Sequence, residues 1–160
     1  MHTLAAPIRP LALAALGLAL LGCPGEDSTA PVQSRARARA EDPPLVHTWN
    51  LPAGSSRILK GDLGSKPPEL ADALMRSGAM PTFVLKAAQA CDSEGTRPTA
   101  GDVALRFGVK AGTLDAVQGD PKGPAATCFE SQLRASAEVF KEMPDGNALV
   151  RVEIAAPAKP

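Results

Sequence analysis

Hydrophobic and polar residues alternate with a period of two in the second half of the chain, and this pattern predicts strands. Residues 102–109, DVALRFGV, place four apolar side chains on one side: Val103, Leu105, Phe107 and Val109. Such alternation is typical of a half-buried strand. A glycine turn at 110–113 and a second strand at 114–118 follow, so we expect a hairpin. The stretch NALVRVEIA, residues 147–155, alternates in the same way and predicts a third strand.

Apolar residues at helical spacing predict three helical segments. A short one contains Leu70 and Leu74, and a second covers residues 82–92, TFVLKAAQACD. A third begins at Gly123-Pro124, carries an apolar stripe that includes Cys128, and ends before Pro144. From residue 80 the order is helix, strand, strand, helix, strand. We therefore expect an α+β fold with a small antiparallel three-stranded sheet and helices packed on one face.

The start of the chain has a different character. Residues 11–22 form an apolar segment that, as a helix, would be about 18 Å long, too short for a bilayer core of about 30 Å. It has the size of the apolar region of a signal peptide. Residues 24–44 are rich in Pro, Ala and charge without apolar periodicity. The expected divisions are a signal peptide (1–22), a lipidated cysteine and disordered tether (23–44), an N-terminal extension with a short helix (45–79) and an α+β domain (80–156).

The segment Leu20-Leu21-Gly22-Cys23 resembles the lipobox of bacterial lipoproteins. In that motif a small residue precedes a cysteine that is lipidated on sulphur and becomes the new N-terminus. Acyl chains contribute about 0.8 kcal/mol per buried methylene, so several of them hold a protein firmly on a membrane. We expect lipidation at Cys23 and a lipid-anchored, periplasm-facing protein of the bacterial cell envelope. Pro24 after the cysteine favours the outer membrane.

Composition excludes some partners and points to a covalent restraint. Lys plus Arg and Asp plus Glu number 17 each, so no charge excess draws nucleic acid to the surface. Arg35, Arg37 and Arg39 are more simply a solvated part of the tether than a lipid-binding patch. The chain has four Phe, one Trp and no Tyr, so its core is built mainly from aliphatic residues. We therefore expect marginal stability and a covalent restraint that offsets it.

Cys91 and Cys128 lie on apolar faces of two predicted helices, and several interpretations are open. In an exported protein such a pair favours a disulfide. Two buried reduced thiols are an alternative, as is a thiol-based redox centre, although the C-x-x-C spacing of such centres is absent. A metal site would need more ligands than the single histidine of the mature chain, His47, provides.

Residues 80–155 carry a pattern that resembles a known family. A helix with Cys91, the strand positions Gly101, Val103, Phe107 and Val109, the turn at Gly112 and a helix with Cys128 resemble the C-terminal domain of AgmX/PglI-type myxobacterial proteins, which is related to the TonB C-terminal fold. Asp92-Ser93 and Met143-Pro144 depart from Tyr-Glu and Phe-Pro in that family. The resemblance implies a fold, an envelope setting and protein–protein contact, and it supplies no catalytic residue.

No nucleophile elbow, zinc-protease motif, phosphate-binding loop or dinucleotide fingerprint occurs in the sequence, so we expect neither an enzyme nor a cofactor. The acidic residues fall at predicted turns, strand ends and helix surfaces, as solvation and capping require. His47-Thr48-Trp49 is the most unusual cluster, and Trp49 either contacts a partner or packs the N-terminal segment on the core.

The expected function is therefore binding of another envelope protein by a non-catalytic domain, with no nucleic acid involved. Strand addition at an exposed sheet edge is the expected mode, either along 147–154, which includes Val150 and Val152, or along 114–118. The alternatives are a thiol/disulfide redox protein that uses Cys91 and Cys128, and a carrier of a small ligand.

Overall fold

The described residues form an antiparallel sheet of five strands. The structure, a computed structural model, describes residues 36–52, 57–92 and 101–155. The strands are β1 (His47–Asn50), β2 (Ile58–Lys66), β3 (Gly101–Lys110), β4 (Thr113–Asp120) and β5 (Gly146–Ile154). Their order across the sheet is β1-β2-β5-β3-β4, and all neighbours are antiparallel. The α+β class is confirmed, and the prediction of three strands is wrong.

The two unpredicted strands come from the range 45–79, which the sequence suggests is an extension. β2 lies between β1 and β5, and its Leu63 is fully buried in the core that the later strands share. Leu70 and Leu74 of the following helix are buried in the same core. Residues 45–79 thus contribute two strands and a helix to the same sheet and core as residues 101–154.

Three helices accompany the sheet in the described chain: α1 (Pro68–Arg76), α2 (Ala79–Ala90) and α3 (Pro124–Ala135). α2 begins three residues before its predicted start, because Pro81 lies in its first turn, where a backbone N–H has no helical partner to lose. α3 ends at Ala135, and a 3₁₀ turn, Ala137–Phe140, follows where the sequence predicts more α-helix. Val139, which would continue the apolar stripe of a longer helix, is consequently 36% exposed.

One face of the sheet, here called the front face, packs against the helices. Register pairs such as Leu105 with Val150 and Val103 with Val152 bring their side chains to this face, and all four are buried. Phe107 meets Phe140 of the 3₁₀ turn edge to face, with ring centroids 5.6 Å apart. The core therefore lies between the front face and the helical layer.

The β3–β4 hairpin turns through Ala111 and Gly112, whose φ angles are 49° and 71°. Two positive φ values make the tight turn that matches strand twist. Gly112 suits this conformation, and Asp145 supports Ala111 by accepting a hydrogen bond from its backbone N–H at 2.7 Å. The hairpin therefore rests on the loop that precedes β5.

Candidate functional site: the strap and the sheet edges

Residues 36–46, here called the strap, lie across the opposite face of the sheet, here called the back face. At one end the Arg37 backbone N–H donates to Asp120 Oδ2 of β4 at 2.8 Å. At the other end the Val46 N–H donates to the Leu63 carbonyl of β2 at 2.9 Å. The strap thus connects the β4 side of the sheet with β2 and leads directly into β1. Its residues 36–44 belong to the range for which the sequence predicts a disordered tether.

Arg106 of β3 fastens the strap. Its Nε donates to Asp42 Oδ1 at 2.6 Å and its Nη2 to Asp42 Oδ2 at 2.7 Å. Nη2 also donates to the Arg37 carbonyl at 2.6 Å. The side chains of Arg106 and Asp42 are only 12% and 9% exposed. This forked, shielded ion pair is of the strong, geometrically specific kind.

The pair is charged on both sides. Hydrogen bonding from Arg106 holds the pKa of the Asp42 carboxyl below its ordinary value, against the opposing effect of burial. The Arg39 backbone N–H, which donates to Asp42 Oδ2 at 2.8 Å, lowers the same pKa further. Hydrogen bonding to Asp42 in turn raises the pKa of Arg106. Each group therefore stabilises the ionised form of the other.

The strap passes so close to β2 that only glycine fits below it. A Cβ on Gly64 would lie 2.0 Å from the Pro44 carbonyl oxygen. Gly64 pairs with Leu149 of β5, which in turn pairs with Arg106 of β3. Leu149 is 1% exposed although it is outside the front-face core, as expected for a side chain below the strap.

β5 is the central strand of the sheet, so its prediction as an exposed edge is wrong. It is paired with β2 on one side and with β3 on the other. Val150 and Val152 are fully buried in the core. Their backbone groups are used within the sheet and their side chains face the helices, which leaves no surface for strand addition at these two residues.

β4 is an edge strand, as predicted for 114–118, but side chains of α3 cover part of its edge. The Gly119 backbone N–H donates to Glu130, and the Val117 carbonyl accepts a hydrogen bond from Arg134. A register shift interrupts the strand next to Ala116, which has a φ of 47°. Bulges and side-chain caps are the devices by which sheet edges avoid pairing.

β1 is the other edge strand, and it contains the predicted cluster. His47 Nε2 lies 2.8 Å from Asp72 Oδ1 of α1, and Thr48 Oγ1 donates to Asp62 Oδ1 at 2.6 Å. Trp49 lies over Gly61, where a Cβ would come within 2.3 Å of the ring. Within the described ranges, the hydrogen bonds of the β1 backbone run to β2 only. Trp49 therefore packs against the core beside an edge that no described segment covers.

The two cysteines of the folded region form a disulfide between the end of α2 and the first half of α3, as the sequence favours. Cys91 is fully buried, and Cys128 is partly buried against the core. The disulfide fixes the helical layer on the front face, on the opposite side of the sheet from the strap.

Some predicted features lie outside the described residues. Cys23, the signal peptide at 1–22 and residues 23–35 lie outside the described residues. Among the described residues, no group of three or more His, Cys, Asp or Glu side chains is placed to hold a metal ion. None of the described helices is long and apolar enough to cross a membrane.

Sequence reasoning missed the ion pair between Asp42 and Arg106. Asp42 stands in a stretch of low complexity, and Arg106 is the ordinary polar residue of an alternating strand. The Asp-Pro-Pro sequence at 42–44, which is extended by its own sterics, was the available signal.

Comparison with protein-family models, with curated proteins and with solved structures found no match.

Proposed function

We propose that the chain is a lipid-anchored protein of the bacterial cell envelope whose folded domain binds another envelope protein. The lipobox-like Leu20-Leu21-Gly22-Cys23 supports the anchor, and the Cys91–Cys128 disulfide supports an oxidising compartment. The resemblance to the AgmX/PglI-type C-terminal domain agrees with this setting. In the proposal the anchor is lipid on Cys23, the domain faces the periplasm, and the membrane is the outer one.

The observation that carries the binding proposal is the contrast between the two sheet edges. The β4 edge is partly capped by Glu130 and Arg134, whereas no described residue bonds to the outer side of β1. An extended segment of a partner can add a strand along an edge of this kind, with backbone hydrogen bonds supplying affinity. We therefore propose the outer side of β1, His47–Asn50, as the docking edge. Trp49 acts there by holding β1 on the core.

The test is crosslinking in cells with the full-length chain. A photoreactive amino acid replaces Asn50, the exposed last residue of β1, in one strain and Thr127, an exposed residue of α3, in a control strain. The proposal predicts one dominant envelope protein captured from position 50 and at least tenfold less of it from position 127. Equal capture from both positions, or no capture above background, would contradict the docking edge.

The thiol/disulfide alternative has a separate test. Cys128 is only partly buried, so an attacking thiolate has a sulphur to approach, although Cys91 is shielded. Equilibration of the purified protein in glutathione buffers measures its reduction potential. A value below about −300 mV indicates a structural bond, and a value near those of oxidoreductases, about −120 to −270 mV, would favour redox function.

A further inference from the structure

The strap makes contacts of the kind that a bound peptide makes. The Asp42 carboxylate accepts hydrogen bonds from Nε and Nη2 of Arg106, and the Arg37 carbonyl accepts a further one from the same guanidinium. Arg39 Nη1 donates to Gln118 Oε1 of β4 at 3.3 Å. The Asp42-Pro43-Pro44 sequence favours an extended backbone that loses little entropy on docking.

The back face also offers space beside the strap. A groove of about 370 Å³ runs along it and is lined on the sheet side by residues that include Arg106, Gly108, Gln118 and Asn147. Arg106 Nη1 is buried without a hydrogen-bond partner among the described residues and forms only a longer ion pair with Asp120 Oδ2, at 3.7 Å. The guanidinium therefore has donor capacity that the strap does not use.

Polar bonds attach the strap to the sheet, and much of the strap is exposed. Residues 37–41 are exposed, and Arg37, Arg39 and Asp42 provide the bonds. An exposed segment with few buried apolar side chains can open locally, so loss of the Asp42 bond to Arg106 should release the strap. Its attachment in the same chain nevertheless gives it a high effective concentration, so a separate ligand competes poorly until the strap is loosened.

We propose that the strap occupies a peptide-recognition groove of its own domain, and that an extended partner segment with an Asp-Pro or Glu-Pro step replaces it on Arg106. The carboxylate of the partner takes the place of Asp42, and its proline holds the backbone extended over β3 and β5. The identification of that partner as an envelope protein rests on the proposed function. The groove itself is independent of the β1 edge.

The test uses the full chain in detergent and a labelled, end-capped peptide with the sequence of residues 36–43, ARARAEDP. Asp42→Asn removes the strap's carboxylate and leaves Arg106 intact, while Glu41→Gln changes the neighbouring exposed acid and serves as the control. Fluorescence anisotropy should show that Asp42→Asn binds the peptide at least tenfold more tightly than Glu41→Gln or the wild type does. The same peptide with Asn in place of its Asp, or the Arg106→Gln change added to Asp42→Asn, should lose at least tenfold in affinity.

Equal affinity of Asp42→Asn and Glu41→Gln for the peptide would overturn the proposal, as would equal binding of the Asp and Asn peptides. If Asp42→Asn does not fold, Gly64→Ala displaces the strap at Pro44 and keeps both charges, with Gly123→Ala in open space as its control. Because the peptide measurements need no cellular partner, their failure and the failure of crosslinking from Asn50 can be told apart. The first would contradict the groove at Arg106, and the second would contradict the docking edge at β1.

Discussion

At the scale of single residues, two side chains determine how the N-terminal part of the domain is held. Asp42 joins the strap to β3, and Trp49 joins β1 to β2. Both contacts depend on a neighbour of one particular size or charge: Arg106 for Asp42, and Gly61 for Trp49. Each can therefore be perturbed by a single substitution whose effect differs from that of a general loss of packing.

Asp42→Asn should lower the free energy of unfolding by about 1.5–3 kcal/mol at pH 7, the range for hydrogen bonds to charged groups. The effect should depend on pH in a defined direction. Because the folded-state pKa of Asp42 is below its unfolded value near 3.9, its contribution is fully present above that value. It is lost as pH falls through the folded-state pKa. Urea unfolding of wild type and variant from pH 7 to pH 2.5 measures this difference.

In that comparison, the difference in the free energy of unfolding between wild type and Asp42→Asn should be constant above about pH 5 and should decrease below pH 4. Glu41→Gln, which changes an exposed neighbour, should follow the wild type throughout. A difference that stays unchanged down to pH 2.5 would mean that the Asp42 charge does not stabilise the fold.

Gly61→Ala should displace the only tryptophan of the chain. The new Cβ would lie 2.3 Å from the Trp49 ring, so the ring has to move. Overpacking of this kind costs about 1–3 kcal/mol. Trp49 emission should shift to longer wavelength as the indole becomes more exposed. Gly123→Ala, where no atom lies within 4 Å of the added Cβ, should leave emission and stability nearly unchanged.

At the scale of elements, the disulfide determines how well the helical layer holds together. Its cysteines are 37 residues apart in sequence, and the chain-entropy argument assigns such a loop about 4 kcal/mol of stabilisation. Cys91→Ala combined with Cys128→Ala should lower the free energy of unfolding by about 2–4 kcal/mol in denaturant titrations. A smaller loss than about 1 kcal/mol would show that packing of α2 on α3 holds the layer without the bond.

The sequence predicts those elements whose buried side follows a regular period. β3 and β5 have an apolar residue at every second position, and α1, α2 and α3 follow the helical period. β2 was not predictable in this way, since two of its front-face positions are not apolar: Gly61 lies between Ile58 and Leu63, and Ser65 follows Leu63. Gly61 is covered by Trp49, and the Ser65 hydroxyl accepts from the Ala71 N–H, so neither site carries an apolar side chain.

The same reasoning explains why the strap was not predictable. Many of its positions are polar because they are exposed, and its attachment includes an ion pair between residues 64 positions apart in the sequence. Local patterns carry no information about such a contact. The sequence left β4 and β5 as alternative edges, and the unpredicted β2, which pairs with β5, decides between them and leaves β4 at the edge.

At the scale of the whole molecule, the strap relates the folded domain to the proposed anchor. The chain enters the domain at Asp120 on the β4 side, crosses the back face, and becomes β1 at the far edge. If lipid is attached at Cys23, the membrane connection and the proposed docking edge lie at opposite ends of the strap. A partner that displaces the strap would then lengthen the connection between the lipid and the domain.

A membrane connection at this end of the strap depends on covalent lipid at Cys23, and lipidation can be measured directly. In cells fed an alkyne-bearing fatty acid, the wild-type chain should acquire the label, and Cys23→Ser should lose it because serine cannot form the thioether. The Cys91→Ala, Cys128→Ala double variant is the matched control and should be labelled like the wild type, since its changes lie within the folded domain. Undiminished labelling of Cys23→Ser would contradict lipidation at Cys23. The strap would then join the domain to an N-terminal segment that is not anchored through this cysteine.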